Sequence, residues 1–318
     1  MKGNTAIIFA LIFILLGGLI FCCTMTAVHW DFKAIATTQY VTNTHEITEE
    51  YRDIAVEFGT ADVVFVAAEG DGTTVTCYEE TKEIHQVSVK DGTLTVQLQK
   101  TKRWYEYIGI SFGTPKITVA LPAGQYGGLT MAGSTGYVTV PEAFSFETVQ
   151  ATGTTGKLQL DAAVSGAVTV AQSTGDAAIG SPSVGSLTLT LSTGDVKLNG
   201  VRAAGDVAVK VSTGKVKFTD VTCKNLQAKT STGDVVLTDV VASEAFRLQC
   251  DTGNVRLENA DAAELYVETD TGDVRGTLRT EKVFLVETDT GRVEVPKSVQ
   301  GGRCEVTTDT GDVTLEIK

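Results

Sequence analysis

The sequence predicts an all-β protein: a parallel β-helix, or β-solenoid, of about ten coils of 19–20 residues with an irregular β cap, preceded by one transmembrane helix. Three observations predict it. A glycine turn recurs at fixed spacing, apolar side chains alternate on both sides of each turn, and the chain begins with a long charge-free run. The turn reads Ser134-Thr135-Gly136, Thr154-Thr155-Gly156, Ser173-Thr174-Gly175, Ser192-Thr193-Gly194, Ser212-Thr213-Gly214 and Ser231-Thr232-Gly233. It then changes to Asp251-Thr252-Gly253, Asp270-Thr271-Gly272, Asp289-Thr290-Gly291 and Asp309-Thr310-Gly311. The ten glycines lie 20, 19, 19, 20, 19, 20, 19, 19 and 20 residues apart. A fixed period near 20 marks a solenoid in which each repeat is one coil stacked on the last.

From the N-terminus, residues 1–5 precede a run at 6–25, AIIFALIFILLGGLIFCCTM, long enough to span a bilayer as a helix. Lys2 before it favours an inside N-terminus, which puts the rest of the chain outside the cell membrane as a single-pass protein. A cleaved signal peptide is the alternative. The uncleaved anchor is preferred because Met25-Thr26-Ala27 makes a poor small-residue cleavage site. Residues 26–49 are polar and aperiodic and read as a linker.

Residues 50–128 read as a β-rich cap. Ile54, Val56 and Phe58 alternate, Asp71-Gly72 and Asp91-Gly92 signal turns, and Ile117, Val119 and Leu121 run up to Pro122. A solenoid needs such an atypical end to cover its core and edge. Within the cap, KTKRWYEYIGISF brings three basic residues together with Trp104, Tyr105 and Tyr107. These rings either cover the end of the solenoid, the preferred reading, or form a partner-binding loop.

In the repeats at 129–318, apolar residues fall seven and five places before each glycine, and in some coils three places before it, as in Leu187, Leu189 and Leu191, against Leu265, Val267 and Thr269. They recur two and four places after it, as in Val196 and Leu198. Polar residues lie between, so each coil holds strands with one face in and one out, and a third short segment fits near the second corner.

The net charge of −13 argues against nucleic acid, whose phosphates an acidic surface repels. The repeated Asp-Thr-Gly triplet matches an aspartic-protease signature. It is rejected because stacked copies do not face one another in the pairs that such chemistry needs. Asp251, Asp270, Asp289 and Asp309 would instead form a column, either a calcium site of hard oxygen ligands or, preferably, turn carboxylates accepting amide hydrogen bonds. Asp176, Asp195, Asp234, Asp273 and Asp312 fill a second column just after the glycine. Cys77, Cys223, Cys250 and Cys304 read as buried free thiols. His29, His45 and His85 all precede the repeats and, with no Cys or carboxylate cluster evident around them, suggest neither a metal site nor a catalytic triad. No cofactor motif is present.

The stretch Ile117-Thr118-Val119-Ala120-Leu121-Pro122, the preceding Asp91-Gly92-Thr93-Leu94-Thr95-Val96, the aromatic stretch between them, and the repeated Ser-Thr-Gly-Asp-Val resemble the DUF4097 family. These are bacterial β-strand-repeat proteins often labelled adhesins. The resemblance covers about 51–318 and implies an exported or membrane-tethered β-helix, with no catalytic residues to carry over. The expected function is a non-catalytic adhesin-like or structural binding module at the cell envelope, with a cell-wall or protein partner. An accessory role in envelope-stress signalling is the alternative. A polysaccharide-active β-helix enzyme is disfavoured, because the unbroken 19–20-residue interval leaves no inserted loops to build a cleft.

Overall fold

The computed structural model describes residues 2–99, 102–103 and 111–318. Helix α1 spans Lys2–Ala27, and its segment Ile7–Ala27, with mean hydropathy 2.9, is long and apolar enough to cross a membrane. Near its end the Thr24 and Thr26 hydroxyls donate to the carbonyls of Ile20 and Cys22, so they leave no free donor on an apolar surface.

The N-terminal strands are β1 (Tyr40–Ile47), β2 (Asp53–Gly59), β3 (Asp62–Ala67), β4 (Thr73–Glu80), β5 (His85–Lys90), β6 (Thr93–Leu98) and β7 (Lys116–Leu121). The repeats follow as β8 (Gly124–Val140), β9 (Phe144–Leu160), β10 (Ala163–Thr174), β11 (Ala177–Ile179), β12 (Val184–Thr193), β13 (Val196–Asn199) and β14 (Val207–Thr213). They continue as β15 (Val216–Thr232), β16 (Val235–Thr252), β17 (Val255–Thr271), β18 (Val274–Leu278), β19 (Lys282–Thr290), β20 (Val293–Glu294), β21 (Gly302–Thr310) and β22 (Val313–Ile317).

Matching positions stack in register. Val196 pairs with Val216 and Val216 with Val235, while Leu198, Phe218 and Leu237 pile beside them. All six are buried. The third segment is present: Val221 and Cys223 pair with Val240 and Ala242. The corner before it needs a left-handed residue. Gly200, Asp220, Asp239 and Asn259 supply it with φ between 51° and 68°, residue types that tolerate that region.

The coils do not all stack in the order of the sequence. β17 pairs with β21 rather than β19, and β19 lies on the far side of β21. The Gly311 coil therefore sits between the Gly272 and Gly291 coils. Two features fix this order. Gly301 and Gly302 pass so close to the carbonyls of Glu281 and Ala263 that a side chain would collide. Lys282, nearly fully buried, reaches from the outer coil to Asp261 (2.8 Å) and to the carbonyl of Ala262 (2.7 Å).

The N-terminal end is also reordered. β2 and β3 form the first coil, pairing with the two ends of β8, and β6 and β7 lie outside them. Coil stacking thus begins inside the segment read as a cap. The segment read as a linker contains β1, which pairs antiparallel with β4 over its whole length. Its alternation is polar, Thr-Asn-Thr-His-Glu, so hydrophobicity does not reveal it.

Candidate functional site

Alternation turns one row of side chains inward and the next outward. On β15, β16, β17 and β21 the inward row is Leu226, Phe246, Leu265 and Cys304, all buried. The outward row floors a groove of about 400 Å³ whose lining includes Gln227, Lys229, Arg247, Gln249, Tyr266 and Glu305. The Arg247 guanidinium lies 4.7 Å from the Tyr266 ring centroid, and that of Arg303 lies 5.9 Å away. Both distances suit cation–π contact. The Tyr266 hydroxyl donates to Glu264 (2.8 Å), which raises its pKa and keeps it protonated. Arg303 pairs with Glu305 at 2.6 Å. The reordered coil builds one wall of this groove, since Arg303 and Glu305 lie on β21. The lining offers amides, both signs of charge and an aromatic edge, a surface for hydrogen-bonding a polar ligand.

The column after the glycine is a hydrogen-bond ladder. Asp195 accepts the amide of Lys215 (2.9 Å), Asp234 that of Asn254 (3.1 Å) and Asp273 that of Asp312 (2.9 Å). Asp312 in turn accepts the amide of Arg292 (3.0 Å), following the reordered stack. The bonds run between coils rather than within a turn. Asp251, Asp270, Asp289 and Asp309 lie on successive coils in the order 251, 270, 309, 289. Among the described residues they belong to no grouping of three ligands around one point. Trp104, Tyr105 and Tyr107 lie outside the described residues.

One such grouping does exist, at Cys77, Glu79 and His85, whose ligand atoms all lie within 4.8 Å of one another. The sequence hid it. Cys77 and Glu79 share the inner face of β4, and a tight turn brings back His85 at the start of β5. The two-residue step on one strand face followed by a turn was the available signal. All three residues are buried. Glu79 accepts from the His85 backbone amide and Nδ1, both at 2.6 Å, and from Asn43 on β1 at 2.7 Å. With the proton on Nδ1, Nε2 is left as a buried lone pair without a partner. Such an orphan costs about 1–3 kcal/mol. Burial, and then the nearby Glu79, push the Cys77 thiol up to about 12. Cys223, Cys250 and Cys304 are also buried and free.

Fold and surface together define a β-solenoid of stacked three-segment coils with polar outer faces, behind a helix of membrane-spanning length. The chain belongs to the family described as Toastrack DUF4097, whose profile matches residues 51–209 and 202–318. Among solved structures, a putative adhesin from Bacteroides fragilis is 15% identical, with 87% of this chain and 97% of that one covered at a TM-score of 0.41. A putative lipid binding protein from Parabacteroides distasonis is 14% identical, with coverages of 85% and 96% and a TM-score of 0.45. Among curated proteins, none matches this chain.

Proposed function

We propose that this protein is a membrane-tethered, extracytoplasmic and non-catalytic binding module of the bacterial cell envelope. Its contact surface is the face around Tyr266. The observation that carries the reading is the groove over β15–β17 and β21, where Arg247 lies against the Tyr266 ring and Arg303 approaches the same ring. The apolar helix supports tethering, since Ile7–Ala27 matches the thickness of a bilayer core. Family membership and the adhesin descriptions of solved structures agree with a binding role.

The test has two arms. Protease added to intact bacteria expressing the full chain should digest the solenoid and leave the helix with the membrane. Full-length protein in vesicles should retain cell-wall fractions, and Tyr266→Ala with Arg247→Ala should lose them. Protection of the solenoid from external protease, or retention unchanged by the double substitution, overturns the reading.

A further inference from the structure

We propose that Cys77, Glu79 and His85 form a buried binding site for one zinc-type divalent metal ion, clasping β4 to β5 at the N-terminal end of the solenoid. The three ligand atoms already lie within 4.8 Å of one another, the spread that one ion with bonds near 2 Å can gather. A thiolate, an imidazole and a carboxylate suit zinc, and cobalt can take its place as a spectroscopic stand-in. The charge closes as well. Binding displaces the Cys77 thiol proton to solvent, so one thiolate, one carboxylate and a dication sum to zero in a buried site.

The surroundings match a metal site in two further respects. Asn43, on the neighbouring strand, donates to Glu79 at 2.7 Å, the kind of outer contact that orients a ligating carboxylate. His85 is buried and its Nδ1 faces Glu79 at 2.6 Å, so a shift of the ring proton to Nε2 frees Nδ1 to ligate an ion beside that carboxylate. A small pocket lined by Glu80, Glu83, Leu98 and Pro115 reaches His85. The competing account is a metal-free His85–Glu79 pair that merely closes the turn.

The experiment uses full-length protein in detergent, stripped with chelator, in a Cys22→Ser/Cys23→Ser background because those two thiols are exposed. Cobalt is titrated in and then displaced with zinc. The expected result is one equivalent of cobalt with a thiolate-to-cobalt charge-transfer band, bleached by zinc, and a melting temperature raised by zinc. Cys77→Ser should abolish the band, and His85→Gln should weaken binding by about tenfold or more. Circular dichroism shows whether each variant keeps its strands. If Cys77→Ser does not fold, the parent titration and His85→Gln still decide. No band at stoichiometric cobalt, or a band that survives in folded Cys77→Ser, overturns the proposal.

Discussion

The glycine column makes a sharp test of how the coils are held together. At Gly233, with φ 137°, an added Cβ would stand 2.6 Å from the carbonyl carbon of Gly214 on the coil below, with the oxygen nearer still. At Gly200, with φ 68°, the same atom would meet nothing within 4 Å. Gly200 sits in the left-handed region that Asp220, Asp239 and Asn259 fill in the next coils, so Gly200→Ala carries only that milder backbone cost, about 1–2 kcal/mol. Gly233→Ala adds displacement of the stacked coil. The coil bonds at stake run from the Gly214 amide to Thr232 (2.8 Å) and from the Gly233 amide to Thr252 (2.9 Å). Losing them costs about 1 kcal/mol each, for a total of about 3–4 kcal/mol. At about 2–4 °C per kcal/mol, the melting temperature should fall by about 6–16 °C for Gly233→Ala and about 2–8 °C for Gly200→Ala. Urea midpoints followed by circular dichroism provide the stability scale. Equal losses in the two variants would refute the argument that carbonyl contact between coils adds to the cost of the turn conformation in the column.

Three further outcomes follow from the same structure. Phe218→Ala, emptying a fully buried site between Leu198 and Leu237, should cost about 3–5 kcal/mol in urea unfolding. The carboxyl of Asp234 is held below the usual carboxylate range, first by the amide of Asn254 and further by Lys215. A carboxyl with a lowered folded pKa stabilises above its unfolded pKa, and that contribution is lost as pH falls through the folded value. Asp234→Asn should therefore be less stable than the parent at neutral pH, and the gap should close in acid; a gap independent of pH speaks against the ladder. Removing residues 301–318 should let β19 move onto β17, because Phe284, Val286 and Thr290 occupy the same places as Cys304, Val306 and Thr310. Hydrogen exchange should then show the Gly272 and Val274 amides still protected, whereas rapid exchange there would show that the gap stays open.

The coils were legible because two strong signals coincide in them. Inward Val and Leu repeat every second residue, and glycine occupies the one corner where stacked carbonyls leave no room for a side chain. Stacking order was not legible in the same way, because Asp289-Thr290-Gly291 and Asp309-Thr310-Gly311 are interchangeable as text. What distinguishes them lies outside the repeat unit, in Gly301, Gly302 and the buried Lys282. β1 escaped notice because the inward face between Val41 and Ile47 carries Asn43 and His45, which breaks the aliphatic alternation. The Cys77 cluster escaped because its members fall on two strands and meet only after the turn at 81–84. The groove needs Glu305 and Thr307 beside Tyr266 and Glu268, which only the altered order provides.

That order also constrains when the molecule can finish folding. Residues 282–294 leave the ribosome before residues 302–317, yet the later segment must take the place between them and β17. Coil-by-coil zippering behind the emerging chain can run only as far as the Gly272 turn. Beyond it, the earlier segment must wait, or lift away again, until its successor arrives. The last step of assembly therefore acts like a keystone: the distal end locks only once the whole of this stretch has been made.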